Sequence, residues 1–207
     1  MFSKTSKYKK LFDKDFSVLI YSLFTGYLFI LLVICFYKLS SLSTNVPNPI
    51  SDIEKFKLYN QNGKTITEKI LSNKITVVNF VFTRCQGNCS TIFDSMKKLY
   101  EEFKVAPKVQ FISITVDPNF DTQHVLKSYS ISRGISGNRW NFLTGDLEDI
   151  KKMSNDSFKI ISDYFPSSHT KNLYLIDPQL KLRKFYNSTD PRSMKLLAKH
   201  IRILNNE

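Results

Sequence analysis

Two runs of β-branched and aromatic residues, Ile75–Phe82 and Val109–Val116, constrain the fold of this chain more than any other feature. Neither run alternates between apolar and polar residues, which is typical of strands that are buried on both faces of a sheet. Between them, apolar residues recur at helical spacing from Ile92 to Phe103. Two parallel strands need a crossover of this kind, so the three segments predict a βαβ unit.

The rest of the chain continues this alternation. Shorter patterns predict strands at Phe56–Tyr59 (ending in an Asn62-Gly63 hairpin turn), Trp140–Leu143, Asn172–Ile176 and Leu180–Tyr186, and helices at Thr122–Tyr129, Leu147–Met153 and Met194–Leu204. From Ile75 onward the resulting order β, α, β, α, β, α, β, β, α predicts an α/β fold, with helices flanking a sheet that ends in a hairpin.

A close pair of cysteines follows the first buried strand directly. Cys85 and Cys89 are separated by three residues at the predicted start of a helix. One close pair is not a disulfide scaffold for a domain of this size, so we interpret the pair as chemically active. Its position after a central strand is the thioredoxin placement, and a thioredoxin-like fold is therefore predicted. Within a helix the two Cβ atoms would lie about 5–6 Å apart, so a disulfide requires a loop or a local distortion.

Two thiolates favour soft or borderline metal ions such as Cu(I) and zinc. Structural zinc takes four protein ligands, and the third cysteine, Cys35, lies in a separate apolar run. Copper accepts two sulfurs and one imidazole, so a histidine is needed to complete the set.

Three histidines are available. His200 lies between Lys199 and Ile201 and is predicted to be a surface residue, while His124 is predicted to be a capping or solvated residue. His169 shortly precedes the predicted strand Asn172–Ile176, and in thioredoxin-like folds the loop that enters this strand faces the cysteine pair. The sequence therefore predicts a site for one copper ion, Cu(I) or Cu(II), formed by Cys85, Cys89 and His169.

An uncharged apolar run, Phe16–Tyr37, is long enough to cross a bilayer as a helix. Five lysines precede it and only Lys38 follows closely, which predicts a cytoplasmic N-terminus and an exported C-terminal part. We expect a cytoplasmic tail (residues 1–15), a single transmembrane anchor (16–38), a Ser-, Asn- and Pro-rich tether (39–50) and a folded domain (51–207). The inner membrane of a bacterium, with the domain in the periplasm, is favoured over a mitochondrial inner membrane, because the tail lacks arginine and contains Asp13 and Asp15.

The net charge of +12 raises the possibility of nucleic acid as a partner. After residue 38 the chain has 24 basic and 16 acidic residues, scattered singly rather than in a basic stripe interleaved with aromatic residues. Nucleic-acid binding is therefore not expected.

The motifs resemble those of the SCO/SenC family. The resemblance covers about residues 50–204 and rests on Phe82-Thr83-Arg84-Cys85 with Cys89, on the segment from Ser113 to Thr122 (SITVDPNFDT), and on His169 followed by Leu173-Tyr174-Leu175-Ile176-Asp177. It implies that Cys85, Cys89 and His169 are the copper ligands and that Asp117 lies near the site without being a ligand. Ser90 replaces the proline that commonly follows the second cysteine in the family, and a serine fits the same helical turn.

The resemblance implies a membrane-tethered copper chaperone that helps to assemble the copper site of cytochrome c oxidase. Its expected partners are the copper-bearing oxidase subunit, an upstream copper donor and a thiol reductant. The alternative is a thiol-disulfide oxidoreductase that reduces the cysteines of the target before metal loading, because an exported compartment would drive Cys85 and Cys89 to a redox-active disulfide. A peroxiredoxin-like peroxidase fits less well, since Thr83-Arg84-Cys85 lacks the Thr-x-x-Cys spacing.

Overall fold

The chain divides into two compact units, Met1–Asn45 and Val46–Glu207. The computed structural model describes residue 18 and residues 21–37, 46–85, 89–160, 165 and 171–206. In the first unit, residues 21–37 form a helix, α1. Among the residues described, no helix combines the length and the apolar character that crossing a bilayer requires. The predicted tail, residues 16, 17, 19, 20 and 38 of the predicted anchor and residues 39–45 of the predicted tether lie outside the described residues.

The second unit is built on one eight-stranded sheet. Its strands are β1 (Ser51–Asp52), β2 (Lys57–Asn60), β3 (Thr65–Thr67), β4 (Ile75–Val81), β5 (Val109–Thr115), β6 (Trp140–Thr144), β7 (Asn172–Ile176) and β8 (Lys181–Asn187). Across the sheet they lie in the order β1-β8-β7-β4-β5-β6-β2-β3. The three central strands β4, β5 and β6 are parallel, and the strands on both sides of them pair antiparallel.

Among the described residues of this unit, four helices cover the sheet: α2 (Cys89–Glu102), α3 (Gln123–Ser132), α4 (Leu147–Phe158) and α5 (Pro191–Asn206). The first three connect or follow the parallel strands and α5 closes the domain, which confirms the predicted α/β alternation. Two short elements are absent from the sequence prediction, β1 and a 3-10 helix at Glu68–Leu71, whereas β3 pairs with β2 and is the second strand of the hairpin predicted at Asn62-Gly63. Elements of two to four residues are too short to show a periodic pattern.

Apolar side chains from the central strands pack on both faces of the sheet. Val77 and Phe111 belong to the core beneath α2 and α5, whereas their neighbours Val78 and Ile112 belong to the core beneath α4. Successive side chains of a strand point to opposite faces, and both faces are covered here. This explains why the runs that form β4 and β5 are apolar at successive positions.

The prediction that His200 is a surface residue is wrong. Its side chain is only 2% exposed, and its Nδ1 lies 2.5 Å from the hydroxyl oxygen of Tyr186 on β8. Burial, reinforced by two nearby lysines, lowers the pKa of His200, and burial raises the pKa of Tyr186. His200 lies three residues after Leu197 and four before Leu204, so it shares the buried face of α5 with these leucines.

Candidate metal and redox centre

Three of the predicted site residues, Cys85, Cys89 and Asp117, lie near the edge of the sheet where two parallel strands end. Val81, the last residue of β4, pairs with Thr115, the last residue of β5. The next residue, Val116, donates its backbone N–H to the carbonyl oxygen of Val81 at 2.8 Å. The segments that leave these two strands therefore start side by side, and one of them leads to the cysteine pair.

Cys85 and Cys89 are joined by a disulfide, with an S–S distance of 1.99 Å and a Cα–Cα distance of 6.2 Å. Cys85 lies in the turn after β4, where its N–H donates to the carbonyl oxygen of Phe82 at 3.4 Å. Cys89 is the first residue of α2, and the three residues between the cysteines lie outside the described residues. Because Cys85 precedes the helix, the helical spacing that opposes a disulfide does not apply, and the Cα–Cα distance falls in the usual range of about 4.4–6.8 Å.

The position of Cys89 also favours its thiolate once the disulfide is opened. The free N–H groups of a helix N-terminus carry a partial positive charge that stabilises an anion in the first turn. Both cysteines are half-buried, so they are partly shielded from solvent but still accessible to it. A thiolate in such a position can attack a disulfide or bind a soft metal ion.

Asp117, which follows β5 closely, contacts the residue before Cys85. Its Oδ2 accepts hydrogen bonds from Nε of Arg84 at 3.2 Å and from Nη2 at 2.6 Å. The Arg84 guanidinium also lies over the ring of Phe120, with Cζ 4.2 Å from the ring centroid. The Asp117 carboxylate is therefore close to the cysteine segment but is engaged by an arginine.

A second carboxylate, that of Asp121, has no role in the sequence prediction beyond its place in the family motif. It is fully buried and accepts hydrogen bonds from the hydroxyl groups of Thr83 and Thr115. The sequence signal was ambiguous, because an Asp-Thr pair before a helix indicates a cap. Here Thr122 is the cap of α3, and its hydroxyl accepts from the N–H of Val125.

His169 lies outside the described residues. The strand that follows it, β7, pairs antiparallel with β4, and Val78 pairs with Tyr174. The start of β7 at Asn172 is therefore directed toward the edge where β4 ends. His124 is exposed on the first turn of α3, as predicted. In the part of the chain that the structure describes, no three His, Cys, Asp or Glu side chains form a group that could hold a metal ion.

Comparison with known proteins identifies the family of this chain. The model of the SCO1/SenC family matches residues 47–205. The chain belongs to the SCO1/SenC family. This result confirms the resemblance that the sequence motifs indicated.

Solved SCO1/SenC structures have the same fold. A SCO1/SenC family lipoprotein from Bacillus anthracis is 33% identical, with a TM-score of 0.69 over 77% of this chain and 99% of that one. BsSco, described as a member of the Sco family of cytochrome c oxidase assembly proteins with a disulfide switch, is 26% identical, with a TM-score of 0.69 over 78% and 98%. ScoI of Bradyrhizobium japonicum, solved with copper bound, is 28% identical, with a TM-score of 0.60 over 73% and 99%. These similarities confirm the predicted thioredoxin-like fold.

Proposed function

We propose that this SCO1/SenC protein is a membrane-anchored metallochaperone. It binds one copper ion through Cys85, Cys89 and His169 and transfers it to the copper-bearing subunit of cytochrome c oxidase. The observation that carries the proposal is the position of the cysteine pair. The two sulfurs meet where a buried strand passes into a helix, at a half-buried edge that a partner protein can reach.

The two cysteines suit copper as donors once the disulfide is reduced. Two thiolates select soft ions such as Cu(I). The two Cα atoms lie 6.2 Å apart, so both thiolates can reach one ion without a large movement of the backbone. Copper is the cargo of this protein, and a set of only three protein ligands leaves the ion open to an incoming ligand from the acceptor.

His169 is the proposed third ligand. Only two residues separate it from Asn172, the first residue of β7. The first residues of β7 are directed toward the edge where β4 ends, and three residue steps span at most about 10 Å of extended chain, which supports the proposal. Asp117 is proposed to act from outside the ligand set, because its carboxylate is engaged by Arg84.

Residues 16–38 are the proposed membrane anchor, with the N-terminus in the cytoplasm and the copper-binding domain in the periplasm. The support is the uncharged run Phe16–Tyr37, its described helical part at residues 21–37, and the lysine-rich tail before it. The Bacillus anthracis relative is called a lipoprotein, which also indicates association with a membrane. An anchor confines the search for a membrane-bound acceptor and raises the effective concentration near it.

A second candidate function is thiol-disulfide exchange, in which the protein reduces the cysteines of the oxidase subunit before copper is loaded. The disulfide between Cys85 and Cys89 favours it, and a disulfide switch has been identified in BsSco. The two functions need the same sulfurs, but only copper binding needs the imidazole of His169.

Replacement of His169 separates the two functions. Under the chaperone proposal, His169→Ala weakens copper binding and removes nitrogen from the copper coordination seen by X-ray absorption, while the Cys85–Cys89 disulfide still forms and opens normally. Oxidase assembly then fails at ordinary copper supply. The matched control is His124→Ala, because His124 is exposed at the start of α3. Unchanged copper affinity and full oxidase assembly in His169→Ala would favour thiol-disulfide exchange instead.

A further inference from the structure

We infer that Asp121 is a positioning residue for Cys85, because its buried carboxylate fixes the segment of chain that leads into this cysteine. The inference deepens the proposed function and rests on it only in treating Cys85 as a reactive thiol. It assigns no metal contact to Asp121.

The contacts of Asp121 are directed at the two strands that end beside it. The backbone N–H of Thr83 donates to both carboxylate oxygens, at 3.3 and 3.1 Å. The Thr83 hydroxyl donates to Oδ1 at 2.5 Å, and the Thr115 hydroxyl donates to Oδ2 at 2.6 Å. Thr83 thus reaches Asp121 through both its main chain and its side chain, only two residues before Cys85.

Because Asp121 is buried, its carboxylate depends on these hydrogen bonds. Its side chain has no exposed surface, and no lysine or arginine in the described part of the chain forms a salt bridge with it. A buried carboxylate without a salt bridge depends on its hydrogen-bond donors, and loss of one is costly. The donors from Thr83 and Thr115 are therefore held tightly in place.

A second link joins the same two segments at the surface. The Thr115 hydroxyl accepts a hydrogen bond from the N–H of Asp117 at 3.0 Å, and the Asp117 carboxylate binds Arg84. The Arg84 side chain is 55% exposed, and exposed ion pairs contribute little to stability. Both residues that precede Cys85 are thus held by the segment after β5, but the buried link through Asp121 is the stronger one.

This arrangement matters because the two cysteines are held in different ways. Cys89 is fixed by the first turn of α2, whereas Cys85 lies outside the helix and depends on the turn that Thr83 enters. If that turn loosens, the two thiols of the reduced protein meet less often. The effective concentration that favours the intramolecular disulfide then falls.

The test is the redox equilibrium of the full chain in detergent, without metal, in mixtures of glutathione and glutathione disulfide. In this reaction two glutathione thiols reduce the Cys85–Cys89 bond, giving two cysteine thiols and one glutathione disulfide. We expect Asp121→Asn to lower the equilibrium constant for disulfide formation about tenfold, which corresponds to about 30 mV. Thr83→Val should lower it similarly, because it removes the hydroxyl donor, and Thr83→Ser should restore it.

The matched control is Asp177→Asn. Asp177 is also a buried carboxylate, 1% exposed, and it accepts from the N–H groups of Gln179 and Lys181 and pairs with Arg183. It follows Ile176, which pairs with Thr76 near the start of β4, so it lies at the opposite edge of the sheet. Its replacement should lower stability and leave the redox constant unchanged.

Three results would overturn the inference. The first is a folded Asp121→Asn protein with an unchanged redox constant. The second is an equal shift in Asp177→Asn, which would show a general effect of lost stability. The third is an equal redox constant for Thr83→Val and Thr83→Ser, and this comparison replaces the first if Asp121→Asn does not fold. Copper is absent from the measurement, so failure of the copper proposal would leave its outcome intact.

Discussion

Reduction of the Cys85–Cys89 disulfide should leave the domain folded. The two cysteines are only four positions apart in sequence. In the chain-entropy description, a loop this short stabilises a protein by about 2 kcal/mol. Domains of this size typically have unfolding free energies of about 5–15 kcal/mol, so most of the stability remains after the bond is opened. A bond that can open at this cost is suited to exchange or metal loading.

The assay is urea unfolding of the oxidised and the reduced domain, beginning at Val46, where the second compact unit starts. At a typical urea dependence of about 2 kcal/mol per molar, the midpoint should fall by about 1 M on reduction. The slope of the transition should stay the same. The double variant Cys85→Ser, Cys89→Ser is the control, because it should resemble the reduced protein and should not respond to a reductant.

A loss of more than about 4 kcal/mol, or loss of the cooperative transition, would contradict this reasoning. The disulfide would then be a structural bond on which the fold depends. It could not open during a functional cycle, and both candidate functions of the cysteine pair would be in doubt.

Three further predictions concern the last helix and the membrane. His200→Ala should lower the free energy of unfolding by about 2–5 kcal/mol, because it opens a cavity and leaves the buried Tyr186 hydroxyl without its partner. Burial lowers the pKa of His200 in the folded protein. As the pH falls, His200 is therefore protonated in the unfolded chain before it is protonated in the folded protein. The contribution of His200 to stability is therefore complete above about pH 6.5 and declines below it. A reporter fused after Glu207 should be active only on the exported side of the membrane, because positive charge precedes residues 16–38.

The predictions on pH dependence and on orientation each have a result that would contradict them. His200→Asn keeps an acceptor near the Tyr186 hydroxyl and cannot titrate, so its stability should vary less with pH between about 6.5 and 5. An equally steep profile in that variant would assign the pH dependence to other groups. Reporter activity in the cytoplasm would overturn the proposed orientation and, with it, the oxidising environment of the cysteines.

Local patterning was sufficient for most of the architecture. The apolar runs at β4 and β5 and the helical repeat of α2 each contain enough residues to reveal a period, so helices and strands could be identified. The position of the cysteine pair after a buried strand was also local information, because Cys85 and Cys89 flank a strand-to-helix junction. The family motifs then agreed with the ligand assignment, in which His169 remains a prediction.

Contacts between distant segments required the folded structure. Asp121 and Thr83 are far apart in sequence and meet only because β4 and β5 end side by side. The buried state of His200 likewise depends on Tyr186 in another element. Periodicity reports which face of an element is apolar, but it does not report which polar group across the interface satisfies a buried side chain. That information is present only in the packing of elements against one another. Here this packing links the segment after β5 to the chain that leads into Cys85.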